Sequence, residues 1–336
     1  MIDSFNRTID YLRVSVTDRC NLRCAYCMPP AGVTPLSHGD ILSFEEILRL
    51  ARVLAGLGIR RIKVTGGEPL VRKGTVDLIR KLKKTEGIEK VTLTSNGVLL
   101  GACLDELIDA GLDGVNISLD SLNRETFIRL TRGSDGDFER VQALLDRVKN
   151  LSPRGIKINC VPIRGVNEAG LVNLAAVAKD SDIAVRFIEL MPLGCAAALE
   201  FIPGAEVAAA LENAFGRLRP FTAKLGGGPA VYYSLEGFRG KIGFINPLSR
   251  NFCETCSRLR LGSTGTLRPC LACEDGLDLR TMLRGGAGDG VIAQAIRELV
   301  SQKPARHNFG AEKGRNASSR AAESDRKKRG MFRIGG

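Results

Sequence analysis

A strand-then-helix alternation, repeated along the first two thirds of the 336-residue chain, constrains the fold more than any other feature. Six short runs rich in β-branched and aliphatic residues occupy 11–16, 61–65, 90–94, 115–119, 156–161 and 184–189. Most lead into helical periodicity, at 43–59, 75–84, 104–110, 124–130, 138–150, 168–178 and 206–215. In the clearest of these, Ile47, Leu48, Leu50, Ala51, Leu54 and Leu57 recur at helical spacing. Ser43 followed three residues later by Glu46 has the spacing of a capping box. Such alternation predicts a parallel sheet with helices outside it. Six units fall short of a closed eight-fold barrel, so the expected fold is α/β, a partial (β/α)6 TIM-like barrel. Pattern alone leaves a doubly wound sheet open. With 44% hydrophobic residues, 5% aromatics and no Trp, the core has to be aliphatic.

The pattern changes at Leu225-Gly-Gly-Gly-Pro229. Runs at 231–235 and 241–245 then read as an antiparallel hairpin, followed by helices around 278–283 and 291–300. The expected organisation is a barrel over 1–225 and a C-terminal region over 226–336. No run of about 18 apolar residues exists, so no membrane-spanning helix is expected. The first residues lack the layout of a secretion signal, and a cytoplasmic location follows as the expectation. Half of the +12 formal charge lies in residues 303–330, with nine Lys/Arg against three Asp/Glu, which reads as an anion-binding tail or a solvated, flexible one.

Seven of the ten cysteines fall in two sets. A reducing compartment disfavours disulfides, so metal binding or catalysis is the better reading of both sets. Cys103, Cys160 and Cys195 stand apart and read as buried small hydrophobes. Cys20-x3-Cys24-x2-Cys27 follows the first strand. Three thiolates so close together can wrap one iron–sulfur cube and leave one iron open. A zinc site completed by a distant ligand is the alternative, but His38 and His307 are the only histidines. Cys253-x2-Cys256-x13-Cys270, with Cys273 beyond it, suits a zinc ribbon or an iron–sulfur site equally well. Polar residues recur at strand ends, including Thr94 to Gly97, Ser118, Asp120 and Met191. In β/α barrels that edge is the reacting face. Arg13, Lys63 and Lys157 each interrupt an apolar strand.

The first cysteine set, with Tyr26 before its third Cys, resembles the signature of radical S-adenosylmethionine (SAM) enzymes, and Thr65-Gly66-Gly67-Glu68-Pro69 after the second strand resembles their Gly-Gly-Glu-Pro segment. With the second set, the Arg258-Leu259-Arg260 that follows it and the final Ile334-Gly335-Gly336, the chain resembles the GTP 3′,8-cyclase family of molybdenum cofactor biosynthesis over nearly its whole length. The resemblance implies two [4Fe-4S] clusters, on Cys20, Cys24 and Cys27 and on Cys253, Cys256 and Cys270. It implies SAM contacts at Tyr26, Gly67, Ser118 and Met191. It implies GTP contacts at Arg13, Lys63, Thr94, Lys157, Arg258, Leu259 and Arg260, and a Gly-Gly tail reaching the active site. It further implies abstraction of the ribose 3′-hydrogen and attack on guanine C8, a reductant protein, cyclic pyranopterin monophosphate synthase as the next enzyme, and room for a homodimer. Two departures stand out. Lys63 replaces the family's commoner Arg, and Cys273 is an additional thiol. A two-cluster peptide maturase is the nearer alternative, although such enzymes tend to carry more cysteines in the second domain. A zinc-ribbon nucleic-acid-binding protein would suit the charge but lacks stacking aromatics, so no nucleic-acid partner is expected.

Overall fold

The computed structural model describes residues 1–149, 155–223 and 225–309. The strand–helix repeat is present throughout the first part. β1 (Tyr11–Ser15) leads to α1 (Phe44–Gly56), β2 (Arg61–Thr65) to α2 (Thr75–Lys83), and β3 (Lys90–Ser95) to α3 (Leu100–Asp109). β4 (Gly114–Ser118) is followed by α4 (Arg124–Thr131) and α5 (Asp135–Lys149). β5 (Lys157–Cys160) leads to α6 (Leu171–Ala175), and β6 (Ala184–Ile188) to α7 (Gly204–Phe215). The helix expected over 168–178 is broken into a short α-turn between two 3-10 turns. The capping box on α1 forms: Ser43 Oγ accepts from Glu46 N–H while Glu46 accepts from Ser43 N–H. Such a cap is worth about 1 kcal/mol.

The remaining strands are β7 (Arg219–Phe221), β8 (Val231–Ser234), β9 (Lys241–Ile245), β10 (Arg258–Leu261), β11 (Thr266–Arg268) and β12 (Leu277–Asp278), followed by α8 (Leu279–Arg284) and α9 (Asp289–Ser301). All twelve strands join one sheet in the order β12-β11-β10-β1-β2-β3-β4-β5-β6-β9-β8-β7. The six expected parallel strands are therefore extended at both edges. β9 pairs in parallel with β6, and β10 pairs in parallel with β1. The expected hairpin is β8 with β9. The core is aliphatic, built from side chains such as Leu12, Leu50, Ile62, Leu93 and Ile158.

The sheet curls. Arg13 on β1 and Arg186 on β6 interact electrostatically although five strand spacings separate them, about 24 Å in a flat sheet. Curling turns one face into a lumen, and β10 brings the second cysteine set to its wall. β10 runs parallel to β1 with Arg258 opposite Tyr11, so Cys256 lies just before the start of these strands. Cys20 lies beyond their far end, after Ser15. The two cysteine sets thus occupy opposite ends of the lumen.

The loop carrying the first set is pinned by the glycines after β2. Gly67 N–H donates to Thr17 O at 2.8 Å and Glu68 N–H to Arg19 O at 2.8 Å. A methyl on Gly67 would collide with the Arg19 carbonyl, and one on Gly66 would lie 2.9 Å from Thr17 O. The Gly67→Ala variant is therefore expected to displace the chain at Cys20. After anaerobic reconstitution, bound iron should fall from about eight to about four atoms per chain while the far-ultraviolet spectrum is retained. Full iron in that variant would contradict this packing account.

Candidate active site with two cysteine sets

The lumen holds a cavity of about 610 Å³, to which all the sequence-predicted site residues contribute except Leu259. Leu259 is fully buried in the core. Alternation along β10 turns its side chain away from the face that bears Arg258 and Arg260. Of the three solitary cysteines, Cys160 is buried as expected, while Cys103 and Cys195 are half-buried.

In the first set, Cys24 O accepts from Cys27 N–H at 2.9 Å and from Met28 N–H at 3.0 Å, a turn that brings two thiols to one side. Cys20 Sγ accepts from Leu22 N–H at 3.4 Å and from Asn96 Nδ2 at 3.8 Å. Burial pushes the Cys20 thiol up to about 11, and burial with Cys27 and Asp120 nearby pushes Cys24 well up. Tyr26 Oη donates to Asp120 Oδ2 at 2.8 Å, and Val161 N–H donates to Asp120 Oδ1 at 2.7 Å. Burial raises Asp120 to about 6 although both bonds favour its charged form. Glu68 accepts from Leu70 N–H, Ser95 Oγ and Asn96 N–H at 2.7 to 3.1 Å, tying the β2 and β3 ends together. Burial still lifts it to about 7.

The second set is electropositive. β11 returns antiparallel beside β10, with Arg268 opposite Arg260, which brings Cys270 back to Cys256 across the thirteen-residue gap. Arg258 donates to Cys256 Sγ at 3.6 Å and lies over the Phe252 ring at 5.0 Å. Burial raises the Cys256 thiol, but Arg258 and Lys303 outweigh it and bring it below its ordinary range. Cys270 is pulled down by a hydrogen bond from Cys273, with Lys303 and Arg260 assisting; Cys273 is pushed up correspondingly.

Both donor sets consist of thiols, and N–H groups are already aimed at the Cys20 and Cys256 sulfurs. Among the described residues, no three His, Cys, Asp or Glu side chains converge tightly enough for a single metal ion. A four-iron cube takes one thiolate per iron at separate corners and so spaces its ligands more widely than a zinc ion does. The thiols present fit the cube.

Between the two sets lies a band of cations fixed by strand register. Arg260, Arg13 and Lys63 are neighbours across β10, β1 and β2. Lys157 sits on β5 and Arg186 on β6. Burial, together with Arg13, Arg186 and Lys157, pulls the Lys63 ammonium well below its usual range. Burial with Arg186 and Lys90 brings Lys157 down to about 8. The carboxylates on the wall have other partners. Asp113 binds Lys83, Asp120 binds Tyr26, and Glu189 accepts from Gly204, Leu248 and Ser249. Such a band of cations attracts an anionic ligand. Arg186 was missed from sequence, yet it interrupts an apolar strand just as Arg13 and Lys63 do. Its Nε donates to Asn159 Oδ1 at 2.8 Å. The Gly226–Gly228 loop, also unassigned from sequence, borders the cavity, with the Arg61 guanidinium packed against Gly227. His307 and Phe309, from the basic segment read as either anion-binding or solvated, line the wall as well. The final Ile334-Gly335-Gly336 lies outside the described residues.

Comparison with known proteins agrees with this architecture. The model of the Radical SAM superfamily matches residues 14–178, and that of Molybdenum Cofactor Synthesis C matches residues 183–309. A GTP 3′,8-cyclase of Desulforamulus reducens is 45% identical over 312 residues, 92% of this chain and 95% of that protein. One from Pelotomaculum thermopropionicum is 44% identical over 341 residues, covering 100% of both. Among solved structures, Streptococcus suis SuiB bound to S-adenosylmethionine shares the fold, with a TM-score of 0.59 at 13% identity over 87% of this chain and 68% of that one. The chain belongs to the GTP 3′,8-cyclase family of radical SAM enzymes.

Proposed function

We propose that this chain converts GTP to (8S)-3′,8-cyclo-7,8-dihydroguanosine 5′-triphosphate, the first step of molybdenum cofactor biosynthesis. One observation carries the reading: two thiol sets close the opposite ends of a single cation-lined cavity. When bound, SAM with the first [4Fe-4S] cluster supplies the 5′-deoxyadenosyl radical that takes the ribose 3′-hydrogen, after which the ribose carbon closes on guanine C8.

The chain's own groups hold and orient. Cys20, Cys24 and Cys27 bind the first cluster, and Tyr26, Gly67, Ser118 and Met191 border SAM. Cys253, Cys256 and Cys270 would hold the second cluster, at the end of the cavity where the base would be recognised. Arg13, Lys63, Lys157, Arg258 and Arg260 take the triphosphate, with Arg186 joining them and Thr94 near the ribose. Leu259 has only its backbone to offer the substrate. Arg forks suit phosphate oxygens, and Lys63 supplies charge without the fork. Residues 1–225 would carry the radical chemistry and 226–336 the base recognition. A reductant protein has to supply the electron, and cyclic pyranopterin monophosphate synthase takes the product. No helix among the described residues is long and apolar enough to cross a membrane. A cytoplasmic homodimer is compatible with this reading.

GTP deuterated at C3′, given to reduced and reconstituted protein with SAM, should transfer deuterium into 5′-deoxyadenosine; transfer from no position of GTP would reject the reading. Arg258→Ala removes a charged donor worth about 1.5–3 kcal/mol, so GTP should bind at least about tenfold more weakly by calorimetry. Unaltered affinity would take Arg258 out of the site. The lowered Lys157 predicts a pH effect. Below pH of about 8 the ammonium is already charged and meets the triphosphate directly. Above that value binding has to take up a proton. The GTP dissociation constant should rise by up to about tenfold per pH unit above 8, and Lys157→Met should flatten the slope. Equal affinity at pH 7 and 9 in the native chain would contradict it.

A further inference from the structure

The basic segment that follows α9 does not begin in solvent. Lys303 is 2% exposed, and its Nζ donates to Arg258 O at 3.0 Å and, over a still shorter distance, to Pro269 O. Arg258 lies two residues after Cys256, and Pro269 immediately precedes Cys270. One ammonium therefore joins the two limbs of the chain that carry these thiols.

A second buried cation extends the tie to the third thiol. Arg7 is 6% exposed and is oriented by Asp3, whose Oδ2 accepts from Arg7 Nε at 2.6 Å. Its Nη1 donates to Cys253 O at 2.9 Å and to Ala305 O at 3.0 Å, and its Nη2 to Pro304 O at 2.8 Å. The backbone beside all three cysteines is thus tied to residues 303–305, which also lead on to His307 and Phe309 in the cavity wall.

Burying an ammonium against carbonyl dipoles alone is costly unless a negative charge lies nearby. Cys256 and Cys270 are the negative groups that act on Lys303, against the like charges of Arg7 and Arg258. A cube held by three thiolates carries net negative charge, and nearby cations set how readily it takes an electron.

We propose that Lys303 is a positioning residue of the second cluster, holding the limbs of Cys256 and Cys270 in register and balancing the cluster's charge, with Arg7 locking the limb of Cys253 to the same segment. The proposal rests on the reading of Cys253, Cys256 and Cys270 as cluster ligands.

The test uses full-length protein reconstituted anaerobically with iron and sulfide, read by iron analysis, electron paramagnetic resonance of the reduced clusters, and redox titration. Native protein should bind about eight irons per chain. About four would refute the ligand reading itself, before any variant is made. Lys303→Met should fall to about four irons and keep the first cluster's signal. Lys303→Gln retains an N–H donor without the charge. It should either lose the second cluster or hold it with an altered spectrum and a more negative midpoint potential. Lys303→Arg should restore the native values. Native iron content, spectrum and potential in both the Met and Gln variants would overturn the proposal. Should the Met variant not fold by circular dichroism, the Gln and Arg variants decide the matter.

Discussion

Strand register places Arg260, Arg13 and Lys63 on adjacent strands, and the rest of the site follows from that crowding. Unit charges one strand spacing apart, about 4.8 Å, repel by about 3 kcal/mol at an effective dielectric of 20. Lys157 and Arg186 add to this from across the curled sheet. Several such terms are comparable with the whole stability of a domain, about 5–15 kcal/mol. The aliphatic shell and the outer helices offset part of the strain. A polyanion in the lumen would offset repulsion among these cations. Such a site favours a ligand that carries several negative charges.

The two cysteine sets sit in contrasting surroundings. Burial and neighbouring acidic groups raise the Cys20 and Cys24 thiols of the first set, so loading iron there has to displace protons. In the second, Arg258 and Lys303 lower Cys256, and the hydrogen bond from Cys273, with Lys303 and Arg260, lowers Cys270. The difference comes from chain topology. The first loop packs against Glu68 and Asp120, whereas the second emerges beside the cation band.

Much of this was legible in the sequence, because local pattern encoded it. The six inner strands, the capping box at Ser43 and both cysteine sets appear where spacing put them. Strand partners are not local information. Nothing in residues 258–261 says that they lie beside β1, so the link that brings Cys256 to the lumen had to come from tertiary structure. Two side-chain placements were also readable from local pattern. Alternation along Arg258-Leu259-Arg260 already turns Leu259 away from its neighbours, and Arg186 carried the same signal as Arg13. Lys303 could not have been foreseen, since its burial depends on carbonyls 34 and 45 residues away.

The lumen's buried cations make it a site for a polyanion. Thermal unfolding of the reconstituted, SAM-loaded protein tests it most directly, with GTP, inorganic tripolyphosphate and guanosine compared at equal concentration and low salt. The account predicts that GTP and tripolyphosphate both raise the melting temperature, that guanosine raises it far less, and that added salt erodes the first two effects. Stabilisation by guanosine equal to that by GTP, with none from tripolyphosphate, would contradict it.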